Sequence, residues 1–180
     1  MRSLGVITMR YASEELMYPE VSAWLERFLL QRHLRSEVRV LDTSHLPVYR
    51  ALRRLNITGL PGDWESWDIR VDVLGIISSK QSTQLALVEC KNCAITLAHL
   101  SQLLGYCRVV QPEYAFILSP VGVSDSLKRL VVTHGRRDVL EYQHPARKMA
   151  RSIVISRWDM ATKSLDYASV ITGDDNRARV

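Results

Sequence analysis

Three cysteines in 180 residues are too few, and of the wrong parity, for a disulfide framework. That excludes a small cross-linked scaffold and predicts a reducing compartment. No apolar run approaches the ~18–20 residues that a bilayer-spanning helix needs, so no membrane partner is expected. Residues 1–10 are too mixed in charge, and too short in apolar run, for a signal peptide. A cytoplasmic location follows as the expectation. The chain also lacks repeats, low-complexity tracts and a Gly/Ser linker. It reads as one domain over residues 1–143 followed by an extension, 144–180, whose last residues from 173 onward are expected to be disordered.

What is present is a globular balance of 47% hydrophobic and 24% charged residues, which excludes a disordered or collagen-like chain. The formal charge is +5, and 19 of the 24 cations are arginine. The planar donor fork of arginine suits phosphate, so a nucleic-acid partner is permitted.

Apolar spacing gives the element order. Met17, Val21, Trp24, Leu25 and Phe28 form one helical stripe. Pro19 either occupies the first helical position or kinks a helix begun at Ser13. Residues 37–41 alternate as a half-buried strand. Residues 42–64 lose the pattern and predict an irregular or partly helical excursion. It carries Arg50, Arg53 and Arg54, which read equally as phosphate clamps or as a solvated face. Residues 67–77 alternate again, with Trp67, Ile69, Val71 and Val73 on one side and Asp68, Arg70 and Asp72 on the other. Residues 78–84 read as a hairpin connection to a strand at 85–92. A helix at 96–110 is expected to bury Leu97, Leu100, Leu104 and Cys107. A buried strand at 114–119, a helix from a Ser124 cap to Thr133 and a short strand at 138–142 complete the order. The fold class is therefore α/β, a central mixed sheet flanked by helices.

Polar groups stand where these strands should be apolar. Asp72 interrupts Val71-Asp72-Val73-Leu74, and Glu89 and Lys91 end the run that begins at Leu85. Residues two apart on a strand share a face, so Glu89 and Lys91 are neighbours. If the two strands pair, Asp72 lies opposite Glu89. Two close carboxylates call for a cation, and oxygen-only ligation suits Mg²⁺ or Mn²⁺. With a lysine beside them, the chemistry is metal-assisted phosphodiester hydrolysis.

Asp72, then Glu89-x-Lys91 seventeen residues on, resembles the PD-(D/E)XK nuclease superfamily. Gln102 and Tyr106, beginning eleven residues after Lys91, resemble the Q-x-x-x-Y motif of its RecB-like branch. Val71 departs from the proline in the motif's name. The resemblance spans residues 13–142 and implies a restriction-endonuclease-like core and a Mg²⁺-dependent deoxyribonuclease, with single-stranded, duplex or branched DNA all open as substrates. It implies Asp72, Glu89 and the Cys90 backbone carbonyl as metal ligands, and Lys91 as the group that orients water. Gln102 and Tyr106, with His99 on the same flank, would steady the site or touch the DNA backbone. A first-helix glutamate near the metal is also implied. Glu20 is the choice, bordering the stripe beside Trp24, with Glu14 and Glu15 as rivals if the helix starts earlier. A homodimer is the oligomer the resemblance favours. A non-catalytic binding module that keeps the fold, and a nuclease acting on RNA, are the other readings. Cys90-x-x-Cys93 with Cys107 falls short of the four ligands usual for zinc, and is read as a buried and a turn cysteine.

Overall fold

The molecule, a computed structural model, is described over residues 10–143 and 150–173. A 3₁₀ turn, Glu14–Met17, leads into α1, Tyr18–Arg32, with Pro19 in the first turn, where its missing N–H costs nothing. The chain then runs through β1 (Glu37–Asp42), α2 (Val48–Arg54), β2 (Val73–Ser78), β3 (Thr83–Cys90), α3 (Leu97–Val110) and β4 (Tyr114–Ser119). After these come α4 (Asp125–Lys128), β5 (Glu141–Tyr142), β6 (Arg151–Ser152), β7 (Val154–Asp159) and β8 (Ser164–Leu165).

Six strands form one mixed sheet in the order β1-β2-β3-β4-β7-β8, and β5 and β6 pair separately. β1, β2 and β3 are antiparallel neighbours. β4 and β7 run parallel to β3, and β8 returns antiparallel to β7. Each face is apolar and covered. On one side Met17 of the 3₁₀ turn and Val21, Trp24, Leu25, Phe28 and Leu29 of α1 pack in one layer with Val73, Ala86, Val88, Phe116 and Trp158. The Trp24 ring meets the Phe116 ring edge-on at 5.2 Å between centroids, the arrangement the ring quadrupole favours. On the other side α2, α3 and the residues after Ser124 cover Leu74, Ile76, Leu87, Ile117 and Ile155.

Gly75 sets how closely α1 approaches. A Cβ at this position would stand 2.8 Å from Leu29 Cδ1 and 3.0 Å from Ala86 Cβ, closer than packed carbons come.

Several expectations are corrected. Residues 67–72 do not enter the sheet. Their backbone serves the preceding segment instead, since Tyr49 N–H bonds to Trp67 O, Val48 N–H to Ile69 O and Thr43 N–H to Asp72 O. The alternation is real, with Trp67 and Val71 buried, but its partners are not strands. On α3 the buried face is Leu100, Leu103, Cys107 and Val110, while Leu97 is exposed. The expected helix from Ser124 is a single α turn continued by a π turn, Arg129–Thr133. The expected strand at 138–142 is a 3₁₀ turn, Arg137–Leu140, ahead of the two-residue β5.

The expected boundary after residue 143 does not divide the sheet. β7 is one of its interior strands, with Ile155 and, just ahead of the strand, Ile153 wholly buried. The buried Arg151 guanidinium donates to the Glu113 carboxylate and carbonyl just ahead of β4. Gly173 is buried, and residues 174–180 lie outside the described residues. Among the described residues no helix is long and apolar enough to cross a membrane.

Candidate active site

The β2–β3 ladder closes on the pair Val73 and Val88, so the next step sets Asp72 opposite Glu89. At that step the strands part. The Asp72 carbonyl accepts Thr43 N–H at 2.9 Å, and the Thr43 hydroxyl donates to Val71 O at 2.7 Å. The Asp72 side chain takes over the ladder's role, its Oδ2 accepting the Cys90 N–H at 2.7 Å. Alternation along β3 puts Glu89 on the α3 face with Leu85 and Leu87, and sends the Cys90 thiol into the apolar layer under α1. Only the backbone of Cys90 is therefore presented at the sheet end.

Lys91 closes the group. Its Nζ lies 3.1 Å from Glu89 Oε2, 3.6 Å from Glu14 Oε1 and 3.9 Å from Asp72 Oδ2. Glu14 comes from the 3₁₀ turn, which carries the chain across the sheet end before α1 begins. Its Oε2 accepts the Asn92 N–H at 3.0 Å. Asn92 also holds the segment leading to that turn. Its amide donates to Tyr11 O at 2.7 Å, and its Oδ1 accepts Tyr11 N–H at 3.1 Å. Tyr18, from the first turn of α1, lies beside Asp72; burial, then that carboxylate, raises its hydroxyl pKa.

Three carboxylates thus meet one ammonium in a largely enclosed site. Burial, then the neighbouring Asp72, pushes the Glu89 carboxyl up to about 7. Burial also raises Asp72, although the Cys90 N–H and Lys91 oppose the rise. Burial works against the Lys91 charge, yet Glu89, Asp72 and Glu14 hold its ammonium above the usual lysine range. The site carries more negative charge than its single cation offsets. Asp72 and Glu89 supply hard oxygen donors. Among the described residues no three His, Cys, Asp or Glu side chains are grouped as a metal site. Mg²⁺ needs no such group, since it is held by one or two carboxylates together with water and substrate phosphate.

The other expected site residues separate. Glu20 is not among the acids. Tyr11 OH donates to its Oε2, and Lys163 Nζ lies 3.0 Å from its Oε1. Burial works upward on it, but these two partners hold its carboxyl below the usual range. The reason is local: the α-helix begins only at Tyr18, so the preceding turn aims Glu14 at the sheet end and Glu20 at the β7–β8 hairpin. Glu15 is exposed, 3.9 Å from His45. Gln102 Nε2 donates to Tyr106 OH at 3.1 Å on the outer flank of α3. Neither hydrogen-bonds to the acids among the described residues. His99 caps α3, its Nδ1 accepting Thr96 N–H at 3.2 Å. Burial, then the nearby Lys91, lowers its pKa. Arg50 and Arg53 flank the Tyr49 ring, each 5.7 Å from its centroid, and Arg53 also pairs with Glu65. Cys90 and Cys107 are buried, and Cys93 is exposed.

Sequence reasoning missed Asn92 and Tyr18. Asn92 was visible as the neighbour of Lys91, and Tyr18 as the residue one turn after Glu14. Comparison of the chain with protein-family models, with curated proteins and with solved structures finds no match.

Proposed function

We propose that the chain is a metal-dependent deoxyribonuclease of the PD-(D/E)XK type, acting at the Asp72, Glu89 and Lys91 end of the sheet. The observation that carries this reading is the convergence of Asp72, Glu89 and Glu14 on the Lys91 ammonium, within 3.9 Å. The element order supports it too: a helix, three antiparallel strands with the short α2 between the first two, then a helix and a strand parallel to the third. The resemblance implies a core of helix, antiparallel strands, helix and strand of this kind.

Asp72 and Glu89 would hold Mg²⁺ or Mn²⁺, with the Cys90 carbonyl as a third oxygen. Such an ion supplies Lewis acidity toward a phosphoryl oxygen and acidifies bound water. Lys91 stays protonated under three carboxylates, so it serves as a donor that orients the attacking water or meets charge developing on phosphorus. Glu14 holds that ammonium together with Glu89. The Cys90 N–H fixes Asp72 through its Oδ2.

The test is incubation of the pure protein with labelled single-stranded, duplex and branched DNA in Mg²⁺, Mn²⁺ or EDTA, with a matching RNA. Metal-dependent cleavage of at least one DNA, lost in Asp72→Asn and Lys91→Ala, is expected. No metal-dependent cleavage of any DNA overturns the reading. Full-rate cleavage by Lys91→Ala shows that the chemistry lies elsewhere.

A further inference from the structure

β3, β4 and β7 run parallel, so the loops after all three emerge at the end of the sheet that holds Lys91. The ladder continues one step beyond β3, where Lys91 N–H donates to Leu118 O at 2.8 Å. That step sets Lys91 beside Ser119, and Ser119 is paired with Arg157. The three positions form one row on one face of the sheet. With strands about 4.8 Å apart, Arg157 is rooted roughly 10 Å from Lys91.

The loop between them is firmly built. Ser119 Oγ donates to Cys93 O at 2.7 Å, and Ile95 N–H donates to Gly122 O at 2.9 Å. Gly122 takes φ +85° to close the turn on Ser119 O, and a Cβ there would lie 3.9 Å from Arg157 Cβ. The segment that follows the catalytic lysine is therefore tied directly to the loop in front of Arg157.

Against this loop lies a cleft of about 530 Å³, within the range of small-ligand sites. Lys128, Arg137 and Arg157 line it, with Asp166 as the only carboxylate among its described residues. Asp166 takes two of the five Arg157 N–H donors, from Nε and Nη2. Arg137 is held in place through Nη1, which donates to Thr172 O at 2.7 Å. Lys128 is exposed on the last residue of α4. Val121, Val123, Val132 and Val170 supply apolar wall between the cations. Three cations to one carboxylate, set in an apolar wall, match a ligand with a phosphate at one end and a sugar and base at the other.

We propose that this cleft seats a nucleotide of the substrate strand close to the scissile phosphate, with Lys128 and Arg157 on its phosphate and the valines against its sugar and base. The inference rests on the nuclease reading, which it extends from the site of cutting to the grip on the strand.

The test separates the two. Binding of a fluorescein-labelled single-stranded oligo-dT is measured by anisotropy in EDTA, where no cut is made, across a range of salt. The proteins are wild type, Lys128→Ala, Lys128→Glu, Arg157→Ala and a control, Lys80→Ala, in the β2–β3 turn. Each cleft variant should bind at least fivefold more weakly. Its log–log salt slope should be shallower by about 0.7 for each phosphate no longer neutralised. Lys80→Ala should bind as wild type does. With cleavable DNA and Mg²⁺, the cleft variants should raise KM and leave kcat within about twofold. Wild-type cleavage with unchanged binding and KM in both Lys128 variants overturns the cleft and leaves the nuclease reading standing. Absent cleavage, with binding still weakened by the Lys128 variants, removes the nuclease reading and keeps the cleft as a strand-binding site. Failure of wild type to bind the oligonucleotide overturns the proposal outright.

Discussion

Glu89→Gln separates what the site costs the fold from what it does. The Glu89 carboxyl is 4% exposed and is pushed from 4.5 up to about 7, chiefly by burial and then by Asp72. Below pH 4.5 it is protonated whether the chain is folded or not. Between pH 4.5 and 7 the unfolded chain releases the proton while the folded chain keeps it, so stability falls as pH rises. Above pH 7 the whole penalty is present, about 3 kcal/mol at 1.36 kcal/mol per pH unit. Glutamine keeps the shape and never ionises, and the rise to about 7 already includes the opposing pull of Lys91 Nζ at 3.1 Å. The variant should therefore be roughly 2–3 kcal/mol more stable than wild type at pH 8 in EDTA, a rise of about 4–12 °C in Tm. At pH 5 the gain should shrink to under about 1 kcal/mol. Thermal unfolding followed by circular dichroism from pH 5 to 8.5 measures both. A Tm difference that stays constant across that range, or a variant less stable than wild type at pH 8, refutes the reasoning. Added Mg²⁺ should narrow the gap at pH 8 by stabilising wild type alone, by about 2.7 kcal/mol at a hundred times its Kd.

Three further outcomes are expected. Gly75→Ala places a methyl 2.8 Å from Leu29 Cδ1; overpacking of this kind should cost about 1–3 kcal/mol in urea unfolding, and an unchanged midpoint would mean that α1 can ride higher over the sheet. Glu14→Gln should lower DNA cleavage roughly tenfold, about 1.4 kcal/mol of barrier, while Glu20→Gln should cleave normally, and the opposite ranking would return the first-helix role to Glu20. Asn92→Ala removes two hydrogen bonds to the Tyr11 backbone, so it should cost about 1–3 kcal/mol and speed amide exchange at Tyr11; unchanged exchange there would show that the segment is held by other interactions.

Asp72, Glu89 and Lys91 were legible in the sequence because a charge inside an apolar strand has no bland partner, and because strand pairing with period two leaves few registers. The mixed α/β sheet was legible for the same reason: its strands are short apolar runs, and α1 shows an unbroken stripe. Glu14 was harder to choose, since the choice depends on whether the chain turns as 3₁₀ or as α before Tyr18, and one turn of either carries almost the same spacing. The strand expected over residues 67–72 failed for a different reason. Alternation reports which side chains are buried, and Trp67 and Val71 are buried against α2 and α3 rather than within a ladder. β7 was invisible as part of the sheet because its parallel partner, β4, lies more than thirty residues upstream, and nothing local to Ile153 and Ile155 names that partner. The shift from Leu104 to Leu103 on α3 reflects two adjacent leucines that both touch the core, Leu103 wholly buried and Leu104 only partly, so the stripe has no sharp edge on that side.

The placement of the acids also explains why the sheet carries so little polarity elsewhere. A site that costs about 3 kcal/mol at neutral pH through Glu89 alone must be offset by packing. Both faces of the sheet supply it, with Val73, Leu74, Ala86, Leu87 and Val88 all wholly buried next to the carboxylates. The same packing fixes the geometry. Gly75 lets α1 sit down on β2 and β3, and that seat determines where the turn before α1 crosses the sheet end. There Glu14 reaches Lys91, and Tyr18 reaches Asp72. A residue without a side chain, one strand position from the apolar core and three from Asp72, is thus as much a determinant of the acid cluster as the acids are. Its effect reaches the site through the pose of α1.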